Sequence, residues 1–430
     1  MAHAFAGAFA GAAVLARDAV SGAARRGDRP GPLARAMAVA AGSRVFVLVV
    51  GFAAASLIGV REHGWAWRFP AKAETFTGAL GALFNPWAHW DGVWYIKIAD
   101  AGYADADGST AFFPLFPLLL RYLGVLFDHN LVITGIAVSL LCFAGSVWLL
   151  FKLVARDFDD RVATRSVVYL SLFPASFFFQ AVYTESLFLL LSLACFFWAR
   201  EGRWRLSGLA GLLAALTRST GVLLVVPMAV YYFQRRGWKL RRADAGVANL
   251  LMVVEGLLIW MAYLSVSFGK PMLFAEVQDQ WRRRLTLPNV TIGRAIEAAA
   301  QGARQLLSGQ YLDLYWPVAK PGDAYAVAEA NLVGLAVLVV VGLCLAFGLR
   351  RLPPAYSLYG VAVVVYPLFF PAIYVPLLSF SRFALAAFPV FVALALFTRD
   401  RPRAHAAIVV VMIVALAALT ARFALFDWVA

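Results

Sequence analysis

Charged side chains are scarce: Asp, Glu, Lys and Arg make up 14% of the 430 residues, where soluble domains carry about 25%. That scarcity excludes a single soluble core, because 62% of the chain is hydrophobic and no one interior of this size hides so much apolar surface. The bilayer must act as solvent for much of it. Cysteine is nearly absent too. Cys142, Cys195 and Cys344 lie inside apolar runs without CxxC spacing, which argues against a disulfide framework and a thiolate metal centre. Acidic residues number 24 against 38 basic ones, for a net charge of +14. No basic amphipathic helix or zinc spacing accompanies that excess, so nucleic acid is not the expected partner. Internal repeats are also lacking. Residues 1–43 are rich in Ala, Gly and Arg, with Arg25, Arg26, Arg29 and Arg35 near Pro30 and Pro32. They lack an apolar stretch before a cleavage site and predict a mobile cytoplasmic tail, not a signal peptide.

What is present is a succession of apolar runs, some near the 17–25 residues needed to span a membrane. They fall at about Ser43–Val60, Leu131–Val154, Arg165–Tyr183, Ser186–Arg200, Leu206–Thr217, Gly221–Phe233, Val247–Phe268, Ala330–Leu349, Tyr356–Leu378, Phe383–Thr398 and His405–Phe426. The expectation is an all-α polytopic membrane protein with about eleven crossings and one transmembrane domain over residues 44–430. The pair meeting at Arg218 is short. Basic clusters flank it, at Arg200, Arg203 and Arg205 and again at Arg235–Arg242. Both clusters favour the cytoplasm, so the pair should cross outward and return. Two long outer loops result, about 61–130 and 269–329. In the first, Phe112–Phe127 is apolar but broken by Pro114 and Pro117, which predicts a helix at the membrane interface.

The first loop also holds His89-Trp90-Asp91-Gly92-Val93-Trp94-Tyr95. On a helix Asp91 and Tyr95 share a face, as do Trp90 and Trp94. A carboxylate partly withdrawn from water among aromatic rings becomes a better general base. The same pattern fits an interfacial aromatic belt with Asp91 as a helix N-cap. Glu185, Arg218 and Arg382 lie near predicted outer helix ends. Ionisable groups at membrane depth are functional or paired, and arginine's planar fork suits phosphate oxygens. Snorkelling or a structural Arg–Glu pair is the alternative. Glu255, deep in a span, is open between a functional role and a protonated or helix-bridging structural one, and Arg282-Arg283-Arg284 reads as a solvated face or lipid-headgroup contact.

Four patches in order carry a likeness: His89–Tyr103, Ala111–Pro117, Phe173–Ser186 with its Tyr183-Thr184-Glu185-Ser186, and Leu213–Gly221 with Thr-Arg-Ser-Thr-Gly; Ser381-Arg382-Phe383 is a weaker fifth. In these the chain resembles the bacterial branch of the PIG-V type mannosyltransferases, relatives of GPI mannosyltransferase II. The resemblance implies a GT-C glycosyltransferase fold and an outward-facing site in a bacterial cytoplasmic membrane. It also implies inverting transfer of a sugar, usually mannose, from a polyprenyl-phosphate donor, with Asp91 as general base. Arg382 and Arg218 would hold the donor phosphate, and His89, Trp90, Trp94, Tyr95, Tyr183 and Glu185 would contact sugar or acceptor. No metal or other cofactor is implied. The acceptor is open between a glycolipid, a glycan and a protein. A lipid or sugar transporter, or a non-catalytic relative, would share the hydrophobicity.

Overall fold

The computed structural model describes residues 30–60, 75–105, 107–239, 241, 244–309, 321–373, 375–427 and 429. Most of the expected tail, with Arg25, Arg26 and Arg29, lies outside them. In chain order the helices are α1 (Pro32–Leu57), α2 (Gly78–Phe84), α3 (Asp91–Ala101), α4 (Leu115–Leu123), α5 (Leu131–Asp157), α6 (Asp160–Leu172), α7 (Glu185–Glu201), α8 (Trp204–Ala215) and α9 (Val225–Arg235). There follow α10 (Ala248–Phe268), α11 (Leu273–Glu276), α12 (Pro288–Ser308), α13 (Pro321–Gly348), α14 (Pro354–Val365), α15 (Phe380–Phe383), α16 (Phe388–Thr398) and α17 (Pro402–Ala424). Among the described residues the only β feature is an isolated antiparallel bridge between Arg283 and Ala372.

Among the described residues five helices are long and apolar enough to cross a membrane: α1, α5, α10, α13 from Tyr325, and α17. A sixth arises if α16 and the turn before it, bent by 79°, form one span. α5 is the central one, with 61% of its apolar window buried against 22% for α13 and α17, which turn most of their surface outward. The other expected crossings are shorter or broken. α6 stops at Leu172 because Pro174 follows, and proline cannot continue the backbone ladder. Carbonyls freed at that break need partners inside an apolar medium. Arg44 of α1, itself buried, donates to the carbonyls of Ser171 (3.0 Å) and Ser176 and to the Ser176 hydroxyl (3.0 Å). The chain then runs irregularly through Tyr183 before α7 begins. Likewise α14 gives way to a 3-10 turn at Tyr366–Phe369 containing Pro367.

One further boundary and one residue's setting differ from expectation. α1 starts at Pro32, so residues 32–43 are helical; proline at the first helical position loses no bond there. Glu255 lies on an exposed face of α10, turned away from the bundle interior, so it bridges no helices there.

Candidate active site

Four breaks in the helical pattern converge on one cavity of about 730 Å³: the start of α3, the Phe173–Thr184 segment, the turn after α8, and α15. The first turn of α3 is set by Trp90, whose φ of 56° and ψ of −122° are unusual for a residue with a side chain. Such a conformation costs on the order of 1–3 kcal/mol and persists only where the surroundings impose it. Here the Trp90 ring lies 5.0 Å from that of Phe426. The Asp91 N–H donates to the Tyr183 hydroxyl (3.0 Å), which in turn donates to the His89 carbonyl (3.0 Å). Strain and tether together aim Asp91 at the cavity.

The turn carrying Arg218 depends on Gly221. A Cβ there would overlap the backbone of Ala214 and Ala215, so only glycine lets the chain fold back on the end of α8. The Arg218 N–H donates to the Ala214 carbonyl (3.0 Å), and the Gly221 N–H closes the turn on the Arg218 carbonyl (2.9 Å). The proline-broken segment joins at the same place, since the Leu115 N–H donates to the Leu216 carbonyl (3.0 Å).

These elements assemble a chain of four charges. Arg382 Nη1 donates to Asp91 Oδ2, and Arg382 Nε faces Glu185 Oε1 at 3.3 Å. Arg218 Nη1 donates to the same Glu185 oxygen at 2.8 Å. The Glu185 side chain is 2% exposed, Arg382 13%, Arg218 15% and Asp91 26%. Asp91 is thus the wettest member and Glu185 the driest. A third guanidinium approaches from the second long loop. Arg283 lies 5.7 Å from the Phe383 ring, over which Arg218 (5.0 Å) and Arg382 (5.5 Å) also sit. Desolvation, then the neighbouring Arg382 charge, push the Arg283 guanidinium down to about 10, so it remains a cation at neutral pH. Around this ring three cations therefore face two carboxylates.

Of the residues expected from the sequence, Asp91, Arg218, Arg382, Trp90, Tyr95 and Tyr183 line the cavity. Three sit behind it. Glu185 bridges the two arginines. His89 packs on Phe426 with ring centroids 4.3 Å apart, and Trp94 stacks on Phe112 at 5.5 Å. They support the wall that others present. The reading of Arg282-Arg283-Arg284 as a solvated face fails for Arg283. Its guanidinium donates to the carbonyls of Phe370 and Leu378, each at 3.1 Å, because the bridge to Ala372 draws the strand-like segment inward. The left-handed turn at Arg282 (φ 53°) sends neighbours in the run different ways, and three consecutive identical residues give no sign of this. Trp281, edge-on to Phe112 at 5.8 Å, also lines the cavity.

Comparison with known proteins adds to this geometry. The chain is 28% identical over 220 residues to GPI mannosyltransferase 2 of Drosophila melanogaster, covering 46% of this chain and 47% of that protein. It is 32% identical over 201 residues to GPI alpha-1,6-mannosyltransferase 2 of Rattus norvegicus, covering 43% and 38%. The matches thus span about half the length of these curated relatives or less. Among solved structures, ArnT from Cupriavidus metallidurans bound to undecaprenyl phosphate aligns with 84% of this chain and 59% of its own, at 14% identity and a TM-score of 0.43. An Archaeoglobus fulgidus oligosaccharyltransferase aligns with 91% and 53%, at 15% identity and 0.45. The family model described as Mannosyltransferase (PIG-V) matches residues 40–263, a stretch that contains Asp91, Glu185 and Arg218 and stops short of Arg382. With just over half of its length matched, this chain belongs to the PIG-V mannosyltransferase family.

Proposed function

We propose that the chain is a membrane glycosyltransferase of the GT-C class. In this reading it moves a sugar, mannose by its family, from a polyprenyl-phosphate carrier to an acceptor hydroxyl on a glycolipid, glycan or protein. Its site faces the extracytoplasmic side of a bacterial cytoplasmic membrane. The supporting observation is one aromatic-walled cavity lined by Asp91 and by four arginines, Arg218, Arg283, Arg284 and Arg382, with Glu276 and Asp279 also on its wall.

Each group has a task in that reaction. Asp91 accepts the proton of the acceptor hydroxyl. The acceptor oxygen attacks the anomeric carbon from the side opposite the phosphate, the bond to the phosphate oxygen breaks, and configuration inverts. The electron pair leaves with the lipid phosphate, whose charge Arg382, Arg218 and Arg283 stabilise. A guanidinium offers five N–H donors in a fixed fork, so Arg382 can hold a phosphate while still touching Asp91. Glu185 positions both arginines and touches no substrate. The aromatic walls exclude water, which strengthens every charge interaction inside.

The test is purified protein given polyprenyl-phosphate-mannose and candidate lipid acceptors, with product identified by mass spectrometry. Asp91→Asn should lower transfer by about 10²–10⁴-fold, the usual worth of a positioned base, while donor binding persists. A transporter or scaffold would be indifferent to that change. No consumption of donor by the well-folded parent chain, with every acceptor tried, would sink the reading.

A further inference from the structure

A second cavity, of about 450 Å³, lies at the other end of the bundle. α5 finishes there at Asp157, α7 at Glu201, one residue past Arg200, and α9 at Arg235. α7 begins with Glu185 in the first site, so the two cavities stand roughly 24 Å apart along it at about 1.5 Å per residue.

Three guanidiniums line this cavity, Arg156, Arg200 and Arg235, with one carboxylate, Asp157. That carboxylate is already engaged. Its side chain is 4% exposed, it accepts from Arg200 Nε (3.1 Å) and from the Tyr356 hydroxyl (2.8 Å), and Arg200 Nη2 forms an ion pair with it at 3.0 Å. Arg235 is held in place by donating from Nη2 to the Arg200 carbonyl (2.7 Å). It rests where Gly202 leaves room, since a Cβ at 202 would overlap the guanidinium. Arg156 comes only within 3.8 Å of Glu201. Positive charge is therefore in excess on the lining. An independent observation comes from Tyr231, which also lines the cavity and is 7% exposed. Its hydroxyl is buried and has no hydrogen-bond partner among the described residues, a costly state for a group that ordinarily finds one.

We infer that this cavity binds a phosphate group. Arg156, Arg200 and Arg235 supply the charge, and the Tyr231 hydroxyl and Gln234 amide supply directed donors. Such a phosphate can come from an anionic lipid headgroup at the membrane surface or from a soluble phosphate. The inference does not depend on the transfer reaction.

Native mass spectrometry of the full chain in neutral detergent, titrated with dioleoylphosphatidylglycerol or dioleoylphosphatidylcholine, tests it, alongside thermal midpoints in sodium phosphate. A lipid source predicts one tightly held phosphatidylglycerol and weaker phosphatidylcholine binding. A soluble source predicts instead a midpoint raised by inorganic phosphate with no preference between the lipids. In either case Tyr231→Phe should weaken binding roughly tenfold, the loss of one hydrogen bond to a charged group. It should leave the ligand-free midpoint unchanged or higher, because it removes only an unpaired oxygen. Arg235→Gln should weaken binding at least as much, and if it does not fold, Tyr231→Phe alone decides. Binding of both phosphate sources that ignores Tyr231→Phe, or the absence of binding by either, would overturn the inference.

Discussion

At both ends of α7 a nearly dry carboxylate is held by arginine, yet the two ends differ in what surrounds the cation. Glu185 is gripped by Arg218 and Arg382, whose side chains are 15% and 13% exposed and packed on aromatic rings. Asp157 is gripped by Arg200, which is 39% exposed, and by the Tyr356 hydroxyl. The first arrangement withholds its charges from water and must balance them internally. The second leaves its guanidiniums partly hydrated, so its excess charge is tolerated without a partner. Residue types match at the two ends. Burial of the cation separates them.

The sharpest way to break this comparison is to remove each carboxylate in turn. Glu185→Ala leaves two buried guanidiniums facing each other, and an uncompensated buried charge costs about 3–5 kcal/mol. The thermal midpoint in detergent should fall further than for any other change considered, and transfer should fall with it. Next comes Gly221→Ala, which tests whether the turn holding Arg218 is as tight as its geometry implies. The obstructing atoms are backbone and cannot rotate away, so overpacking should cost about 3 kcal/mol. Asp157→Ala should cost less, about 2 kcal/mol, chiefly from the Tyr356 hydroxyl left buried without an acceptor, because Arg200 can take water. It should also tighten phosphate binding in the second cavity by removing its one negative charge. Equal losses from Glu185→Ala and Asp157→Ala would dissolve the distinction between the two ends.

Much of the first end was legible in the sequence, and the reason is physical. Asp91, Glu185, Arg218 and Arg382 are charges next to apolar runs, and such residues are rare enough to be noticed one by one. Tyr183 and Trp90 stood beside them in short patterned patches. What the sequence could not convey was direction. Nothing in its order says that Arg382 closes on Asp91, or that Glu185 sits behind the arginines instead of in the cavity. The same holds for Arg283, hidden in a run of three identical residues. Helix interruptions were legible only in part: Pro114 marks the start of α4 while Pro117 is absorbed in its first turn, and Pro174 lay inside a run read as one crossing from Arg165 to Tyr183. The second cavity was invisible because Arg200 and Arg235 had a sufficient explanation as cytoplasmic flanking charges.

The smallest effect concerns a third carboxylate, Asp107, which sets the lower limit of the comparison because both partners, 28% and 24% exposed, keep contact with water. Its Oδ2 accepts from Lys97 at 2.6 Å, and its Oδ1 accepts from the Ser109 N–H at 2.9 Å, tying the end of α3 to the loop that follows. Desolvation alone would raise its pKa, but the hydrogen bonds from Lys97 and Ser109 outweigh it and hold the carboxyl below the usual carboxylate range. A depressed folded value means that the unfolded chain binds the proton more readily. The pair therefore contributes stability above the ordinary carboxylate pKa, and that contribution disappears as pH falls through the folded value. Exposed pairs are worth about 0.2–1 kcal/mol, and salt screens them further. Lys97→Met should thus lower the thermal midpoint slightly at neutral pH and hardly at all near pH 3, with the gap narrowing in high salt. A loss as large as that of Glu185→Ala would mean that solvent exposure does not govern what these ion pairs contribute, and the contrast between the two ends of α7 would need another cause.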